Sequence, residues 1–249
     1  MRARHVLALL VCAGCARPGA AQVRPGIEVL VTDSLHLVRG KRLGLLTNHT
    51  GIDRSGRRDV DVLRAATGIR LVALFSPEHG FRGTEDRSGL SDATDSATGI
   101  PIYNLYGGAR STARAALDSI DVVLVDLQDI GARYYTYVST AVQLTIMAAA
   151  LDKPVLVLDR PNPLGGEAVQ GAPRLVAGDP ERDFVGFLPV PMRHGMTLGE
   201  LMRLSLDAVD IHADLVVVPA AGWSRAAYFD ATGLPWVKPS PNMPDLESA

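Results

Sequence analysis

Short, continuous apolar runs recur along the chain, and each is followed by a polar or glycine-rich segment. These runs have the length and branching of buried parallel strands, and they are Leu43–Thr47, Leu71–Phe75, Ile102–Leu105, Val122–Val125, Val155–Leu158 and Leu215–Val218. The segments between them carry apolar residues at helical spacing, which predicts helices near residues 27–38, 60–66, 113–117, 138–151 and 197–206. Residues 84–100 have no apolar period and predict a long polar loop. The β-α alternation predicts an α/β fold with a parallel sheet covered on both faces.

Residues 1–21 have the pattern of a secretory signal peptide and not of a folded element. A basic start precedes a short apolar core at Val6–Val11, and Gly19-Ala20-Ala21 forms the expected cleavage site. Ala13-Gly14-Cys15 resembles the end of a bacterial lipoprotein box, so Cys15 is the candidate for an alternative lipid anchor. We therefore expect an exported protein, periplasmic or secreted, or a membrane-anchored lipoprotein if Cys15 is acylated.

The composition narrows the class of protein further. The chain is 47% hydrophobic and 21% charged, with a formal net charge of −2 and no basic block, so nucleic-acid binding is not expected. No segment after the signal is apolar for long enough to predict a transmembrane helix.

Aromatic residues and prolines appear without a strand or helix period from residue 220 onward. We therefore predict an α/β catalytic domain at 22–219 and the start of a second domain at 220–249.

Polar side chains follow the predicted strands at the points where these strands end. They are Asn48, Glu78, Tyr106, Asp126 and Asp159. In a parallel sheet, all five would lie at the carboxyl edge, where ligands bind in open α/β folds. The sequence therefore predicts a polar pocket there, and Ser76–Gly83, which packs an acid, an imidazole and a guanidinium into one turn, is its centre.

The carboxylates of this edge have competing interpretations. Glu78 could act as a general acid or could cap the turn or helix that follows it. Asp126 could be a base, a nucleophile or a group that orients the ligand, and Asp159 could form a structural ion pair with Arg160. Further candidates for a second carboxylate, which spacing does not rank, are Asp129, Glu85 and Asp86.

Cofactor and metal signatures are weak. His49, His79 and His194 lie in three different loops without close ligand spacing, and no glycine-rich dinucleotide motif follows the first strand. Gly-x-Ser-x-Gly and the Walker pattern are also missing. We therefore expect no metal and no cofactor. Four arginines near the predicted edge would suit an anionic substrate, namely Arg82, Arg133, Arg160 and Arg193.

Six motifs of the chain resemble those of the bacterial exo-β-N-acetylmuramidase family, long catalogued as a domain of unknown function. They are Thr47–Gly51, Ser76–Gly83, Asp126–Tyr137, Asp159–Pro163, Arg193–Thr197 and Ser240–Pro244. Ser-Pro-Glu-His-Gly, at residues 76–80, is the most specific of them. The likeness extends from about residue 27 to residue 244.

The resemblance implies a Rossmann-like sheet followed by a smaller C-terminal domain, with the active site in the cleft between them. It also implies release of N-acetylmuramic acid from the non-reducing end of peptidoglycan fragments, with Glu78 as the catalytic acid. Asp126 is our second catalytic candidate. Our candidates for substrate binding are Asn48, His49, His79, Arg82, Tyr106, Arg133, Tyr135, Asp159, Arg160, Asn162 and His194. Family members continue well past Ser240–Pro244, so we expect residues 220–249 to begin a truncated domain, which leaves the activity of this short form open.

The expected ligands are muropeptides or disaccharides derived from peptidoglycan. The lactyl carboxylate of N-acetylmuramic acid would give the arginines a partner, with Arg82 the first candidate. Glycoside hydrolysis usually needs two carboxyl groups, although the acetamido group of the substrate replaces the second one in some families. Two alternatives remain at this point: a muropeptide-binding protein without catalytic activity, and a metal-dependent hydrolase.

Overall fold

A computed structural model of the protein describes residues 22–107 and 110–248. The predicted signal peptide and Cys15 lie outside these residues. The seven strands are β1 (Arg42–Thr47), β2 (Arg70–Ser76), β3 (Ala93–Thr94), β4 (Pro101–Asn104), β5 (Val122–Asp126), β6 (Val155–Leu158) and β7 (Leu215–Val218). The five α-helices are α1 (Gly26–Asp33), α2 (Asp59–Ala65), α3 (Ser111–Ala116), α4 (Tyr137–Ala149) and α5 (Leu198–Ala208). None of these helices combines the length and apolar character needed to cross a bilayer.

The strands form one sheet in the order β3-β4-β2-β1-β5-β6-β7. All neighbouring pairs are parallel except β3 and β4, which pair antiparallel at one edge. Without β3, the parallel strands have the order 3-2-1-4-5-6 of the Rossmann fold. The structure therefore confirms the predicted α/β fold with a mostly parallel sheet.

The continuous apolar runs are explained by burial on both faces of the sheet. Successive side chains of a strand point to opposite faces, so even and odd positions of β5 and β6 enter different cores. Leu124 and Leu156 pack with α1 and α2, whereas Val123 and Val157 pack with α3, α4 and α5. No polar face remains on these strands, which is why the sequence shows runs without alternation.

Two predicted segments differ from the structure. The helix predicted over residues 27–38 ends at Asp33, and a separate 3₁₀ turn covers Leu35–Leu37. Thr32, Asp33 and Ser34 are poor helix formers because their side chains compete for backbone groups, and Thr32 Oγ1 does donate to the Glu28 carbonyl at 2.8 Å. The polar loop predicted at 84–100 contains β3, a strand too short to leave a periodic pattern.

Residues 220–248 lie against the sheet domain through several contacts. Ala221 forms an antiparallel bridge with Arg24, and Trp236 packs on the core formed with α3, α4 and α5. The Tyr137 hydroxyl donates to the Pro239 carbonyl, and Asn242 Nδ2 donates to Asp86 Oδ1 at 3.1 Å. This tail, residues 220–248, therefore reaches the carboxyl edge of the sheet. The domain boundary near residue 220 stays a prediction.

Candidate functional site

The topology of the sheet places a crevice at the carboxyl ends of β1 and β5. From β1 the chain continues to strands on one side, and from β5 it continues to strands on the other side. Ligands of open α/β sheets bind at such a switch point. The residues that follow the two strands are His49 and its neighbours after β1, and Gln128 and Asp129 after β5. Both segments therefore contribute to the same edge.

The turn that follows β2 brings Glu78 to this edge. His79 and Gly80 both have positive φ angles, of 67° and 72°, and Gly83 has a φ of 69°. A Cβ atom on Gly83 would lie 1.8 Å from the Cε1 atom of His49, so the turn packs directly on the loop after β1. The Nδ1 atom of His79 lies 2.9 Å from the Glu85 carbonyl, which closes the turn.

The Glu78 side chain is half-buried and has two defined neighbours. Thr136, the residue before α4, donates its hydroxyl hydrogen to Glu78 Oε2. Tyr106 follows β4, and burial together with the nearby Glu78 carboxylate raises the pKa of its hydroxyl to about 12. Tyr106 therefore stays protonated beside a carboxyl group that also accepts from Thr136.

The loop after β1 is fixed by the tail. Asn48 Nδ2 donates to the Tyr137 hydroxyl at 2.7 Å, and Asn48 Oδ1 accepts from the backbone and hydroxyl of Thr50. His49 Nε2 lies 2.8 Å from the Lys238 carbonyl, and burial lowers the pKa of this imidazole. The side-chain polar atoms of Asn48 thus form hydrogen bonds within the protein, while His49 remains half-exposed next to the turn that carries Glu78.

Tyr135 and His194 lie on the Asp129 side of the crevice. The Tyr135 ring is buried and packs edge-on against Tyr137 with 4.6 Å between ring centroids. His194 is buried with its Nε2 atom 3.5 Å from Asp129 Oδ1. Burial raises the pKa of the Tyr135 hydroxyl, and the neighbouring Tyr137 hydroxyl and the charges of Asp129 and Glu78 add to this shift.

Asp126 is placed differently from Glu78. Its side chain is fully buried and accepts from Arg160 Nε, while Arg160 Nη2 lies 3.7 Å from Asp59 Oδ2 and donates to the Ile52 carbonyl at 2.8 Å. Burial and the Asp126 charge raise the pKa of Asp59 well above its usual value. This placement favours structural roles for Asp126 and Arg160.

Asp159 and Asn162 hold loops together at the same edge. Asp159 Oδ1 accepts from the Gly199 and Arg160 backbone, at 3.1 and 3.0 Å, and Thr197 Oγ1 donates to its Oδ2 at 2.6 Å. Asn162 Nδ2 donates to the Met196 carbonyl at 2.8 Å. The predicted pair of Asp159 with Arg160 is therefore a backbone contact, and the guanidinium turns to Asp126 instead.

The four arginines differ in how far their guanidinium groups are hydrogen-bonded within the protein. Arg133 Nη1 donates to the Ala172 and Val190 carbonyls, and Arg193 Nη2 donates to the Leu164 carbonyl. Arg82 is exposed, with a single hydrogen bond to Ser96 Oγ at 3.2 Å, and it lines two cavities of about 340 and 170 Å³. Of the four, Arg82 is therefore the one whose guanidinium is placed to meet a ligand.

The structure thus separates the predicted residues into two groups. The first group lies around the Glu78 turn or the crevice, and it comprises Asn48, His49, Glu78, His79, Arg82, Tyr106 and Tyr135. The second group is committed to contacts within the fold, and it comprises Asp126, Arg133, Asp159, Arg160, Asn162 and His194. Thr136 was missed by the sequence reasoning because its contact with Glu78 spans 58 residues. Its position beside Tyr135, within a motif of the chain, was the available signal.

Among residues 22–107 and 110–248, no three His, Cys, Asp or Glu side chains are grouped in a way that could hold a metal ion. The three histidines of the predicted edge have other neighbours: the Lys238 carbonyl, the Glu85 carbonyl and Asp129.

Comparisons with known proteins converge on one family. The model of the family described as exo-beta-N-acetylmuramidase NamZ, N-terminal, matches residues 43–247. The chain is 43% identical over 229 residues to peptidoglycan beta-N-acetylmuramidase NamZ of Bacillus subtilis (strain 168), which covers 91% of this chain and 54% of that protein.

Two crystal structures of DUF1343 family proteins from Bacteroides fragilis NCTC 9343 are also similar. The first has a TM-score of 0.80 and 40% identity over 91% of this chain and 57% of the other. The second has a TM-score of 0.67 and 32% identity over 84% of this chain and 55% of the other. The chain therefore spans about half the length of these relatives.

Proposed function

Because the chain belongs to the exo-beta-N-acetylmuramidase NamZ family, we propose that it is a glycoside hydrolase that releases N-acetylmuramic acid from the non-reducing end of peptidoglycan fragments. The observation that carries the proposal is the placement of Glu78. It is a half-buried carboxyl group at the switch point of a Rossmann sheet, held by Thr136 and flanked by Tyr106. Peptidoglycan-derived disaccharides or muropeptides are the proposed substrates.

In the proposed reaction, Glu78 protonates the departing glycosidic oxygen. A carboxyl group that acts in this way needs a fixed direction, since proton transfer requires hydrogen-bond distance to the leaving atom. The Thr136 hydroxyl donates to Oε2 and Tyr106 lies beside the same carboxyl group, and these two neighbours give it a defined direction. Arg82, with most of its guanidinium free, is the proposed partner of the lactyl carboxylate.

The proposal is tested with a chromogenic glycoside of N-acetylmuramic acid. Glu78→Gln keeps the shape of the side chain but removes the acidic proton, so turnover should fall by about 10²–10⁴-fold while sugar binding persists. Asp207→Asn makes the same chemical change near the end of α5, at the opposite edge of the sheet, and should leave turnover unchanged. Near-normal turnover of the Glu78 variant would contradict the assignment of Glu78 as the catalytic acid.

The competing proposal is a protein that binds muropeptides without cleaving them. Binding measured by calorimetry alongside turnover separates the two functions. If the unsubstituted chain binds muropeptides without hydrolysing them, the result supports the binding-protein proposal. If it neither binds nor hydrolyses them, the result contradicts both proposals. Turnover that is lost on chelation and restored by a divalent ion would instead support a metal-dependent hydrolase.

We propose that the protein acts outside the cytoplasm, in the periplasm or medium or anchored through Cys15. The signal-like pattern of residues 1–21 supports this proposal, and a peptidoglycan substrate agrees with it. The intact mass of the protein purified from its natural host distinguishes cleavage after Ala21 from acylation at Cys15. Retention of residues 1–21 in that protein would overturn the proposal.

A further inference from the structure

A second carboxylate of the crevice, Asp129, has one oxygen in use and one without a partner. Oδ1 accepts from the Gly131 backbone N–H at 2.7 Å and faces His194 Nε2 at 3.5 Å. Oδ2 is buried and makes no hydrogen bond with any described residue. The side chain is only 5% exposed, so bulk water does not satisfy this oxygen. Buried polar atoms in native structures normally have a partner, and an orphan acceptor needs an explanation.

The tautomer of His194 places a ring N–H next to the Asp129 carboxylate. The Met196 backbone N–H donates to His194 Nδ1 at 3.1 Å, so Nδ1 is the unprotonated nitrogen. The ring hydrogen of the neutral imidazole is therefore on Nε2, which faces Asp129 Oδ1. Nε2 makes no hydrogen bond of acceptable geometry at this distance, so His194 packs beside Oδ1 while the Gly131 N–H fixes the direction of the Asp129 carboxylate.

A second orphan is the Tyr135 hydroxyl, in the same segment between β5 and α4 as Asp129. It is buried, with 9% of the residue exposed, and it makes no hydrogen bond of acceptable geometry, although the Tyr137 ring is its edge-on neighbour. The Tyr137 hydroxyl is itself engaged with Asn48 and Pro239. Burial is the main cause that raises the pKa of Tyr135, the neighbouring Tyr137 hydroxyl is the next, and the charges of Asp129 and Glu78 add to it. The hydroxyl therefore stays protonated and is available as a hydrogen-bond donor.

An acceptor and a donor, both buried and both unpartnered, are complementary to a secondary amide. The amide N–H needs an acceptor, and its carbonyl needs a donor. Of the groups on N-acetylmuramic acid, the lactyl carboxylate would be repelled by Asp129, whereas the 2-acetamido group carries the required pair. That group is attached next to the anomeric carbon, and Thr136, which follows Tyr135, holds the carboxyl group that acts there.

We propose that Asp129 and Tyr135 bind the 2-acetamido group of the substrate, Asp129 Oδ2 accepting from its N–H and the Tyr135 hydroxyl donating to its carbonyl oxygen. This inference rests on the proposed function, since it assumes an N-acetylated sugar as ligand. These two hydrogen bonds would make the site selective for acetamido sugars, because a site built for hydrogen bonds rejects analogues that leave its buried groups unpaired. They also fix the anomeric carbon relative to Glu78.

The first test uses Asp129→Asn and Tyr135→Phe with two glycosides, one of N-acetylmuramic acid and one in which a hydroxyl replaces the acetamido group. In Asp129→Asn, the Gly131 N–H requires the amide oxygen at the Oδ1 position, so the amide nitrogen occupies the Oδ2 position. A donor then faces the substrate N–H. We expect kcat/KM for the acetamido glycoside to fall about tenfold or more in either variant, with little further loss for the hydroxyl analogue.

Matched controls are Tyr134→Phe, which removes an exposed hydroxyl from the neighbouring residue, and Asp207→Asn. Equal losses on both glycosides would overturn the proposal, because Asp129 and Tyr135 would then contact a ring hydroxyl or act on the reaction itself.

The second test does not need turnover. Calorimetry compares the binding of N-acetylmuramic acid with that of the analogue in which a hydroxyl replaces the acetamido group. The proposal requires tighter binding of the acetylated sugar and loss of this preference in both variants. If the chain binds with the preference but does not hydrolyse, the proposed enzyme fails while the acetamido site stands. If the unsubstituted protein shows no preference between the sugars, the acetamido site is wrong.

Discussion

The Thr136 hydroxyl donates its hydrogen to Glu78 Oε2, joining the residue before α4 to the turn after β2. A threonine at this position usually caps its own helix, which satisfies a backbone N–H of the first turn. Here the side chain makes no capping hydrogen bond. The hydroxyl is therefore used to orient the carboxyl group and not to stabilise the helix.

Thr136→Val should impair catalysis without unfolding the protein. Valine keeps the branched shape but leaves Glu78 Oε2 without its donor, so we expect kcat to fall about tenfold with KM little changed. Thr136→Ser keeps the hydroxyl and should retain most of the activity. Steady-state kinetics with the muramic acid glycoside measure both variants. A loss in the serine variant with full activity in the valine variant would indicate that the methyl group, and not the hydrogen bond, matters at this position.

Arg82→Lys should reduce selectivity for the lactyl group. Lysine keeps the charge but cannot reproduce the planar guanidinium fork that binds a carboxylate through two hydrogen bonds. We expect kcat/KM to fall for the N-acetylmuramic acid glycoside and to change little for the N-acetylglucosamine glycoside, which has no lactyl group. Arg64→Lys, an exposed change on α2, serves as the control. Equal weakening of both substrates by Arg82→Lys would assign Arg82 a structural role.

The sequence predicts the sheet well because buried parallel strands leave a strong local signal. It predicts the two carboxylates after β5 less well, although Asp126 and Asp129 are only three residues apart. Asp126 continues the alternation of β5, so it points to the same face as Val122 and Leu124 and meets Asp59 at the start of α2. Which helix covers that face is decided by the tertiary structure and not by the local sequence. No local pattern reveals that the covering helix begins with a carboxylate.

The same limit applies to the hydrogen-bond partners of the site. His194 reaches Asp129 across 65 positions of the chain, and the tail reaches Tyr137 across 102. The sequence identified these segments as motifs and gave His194 a role in ligand binding. The structure shows that several of them orient the residues that face the crevice, because neighbouring strand ends bring distant loops into contact.

Gly83→Ala should destabilise the protein more than an ordinary glycine replacement. The φ angle of 69° is unfavourable for alanine, and the new Cβ would lie 1.8 Å from His49 Cε1. Gly40 has a similar φ of 77° but nothing within 4 Å of its Cβ position, so Gly40→Ala isolates the backbone cost. We expect about 1–2 kcal/mol for Gly40→Ala and about 1–3 kcal/mol more for Gly83→Ala. Urea unfolding measures both, and equal costs would show that His49 moves aside freely.

The stability of the protein should fall between about pH 4 and pH 6 because of Asp159. Burial raises the pKa of this carboxyl group in the folded state to about 6, although hydrogen bonds from Thr197 and from the Gly199 backbone oppose the shift. In the unfolded chain the pKa of this carboxyl group is near its usual value of 3.8, so the folded state binds more protons across this interval. Stability then decreases as the pH rises, since the slope follows the protons bound by the unfolded state minus those bound by the folded state.

Asp159→Asn should remove this contribution. Its carboxamide oxygen can accept from the Gly199 and Arg160 backbone as Oδ1 does, and its nitrogen can donate to Thr197 Oγ1. A difference of about two pKa units corresponds to about 3 kcal/mol. We therefore expect the free energy of unfolding of Asp159→Asn, relative to the unsubstituted protein, to rise by up to about 3 kcal/mol between pH 4 and pH 7. Asp59 and Asp126 are present in both proteins, so their titration cancels in the comparison. A constant difference across this range would mean that Asp159 ionises normally in the folded protein.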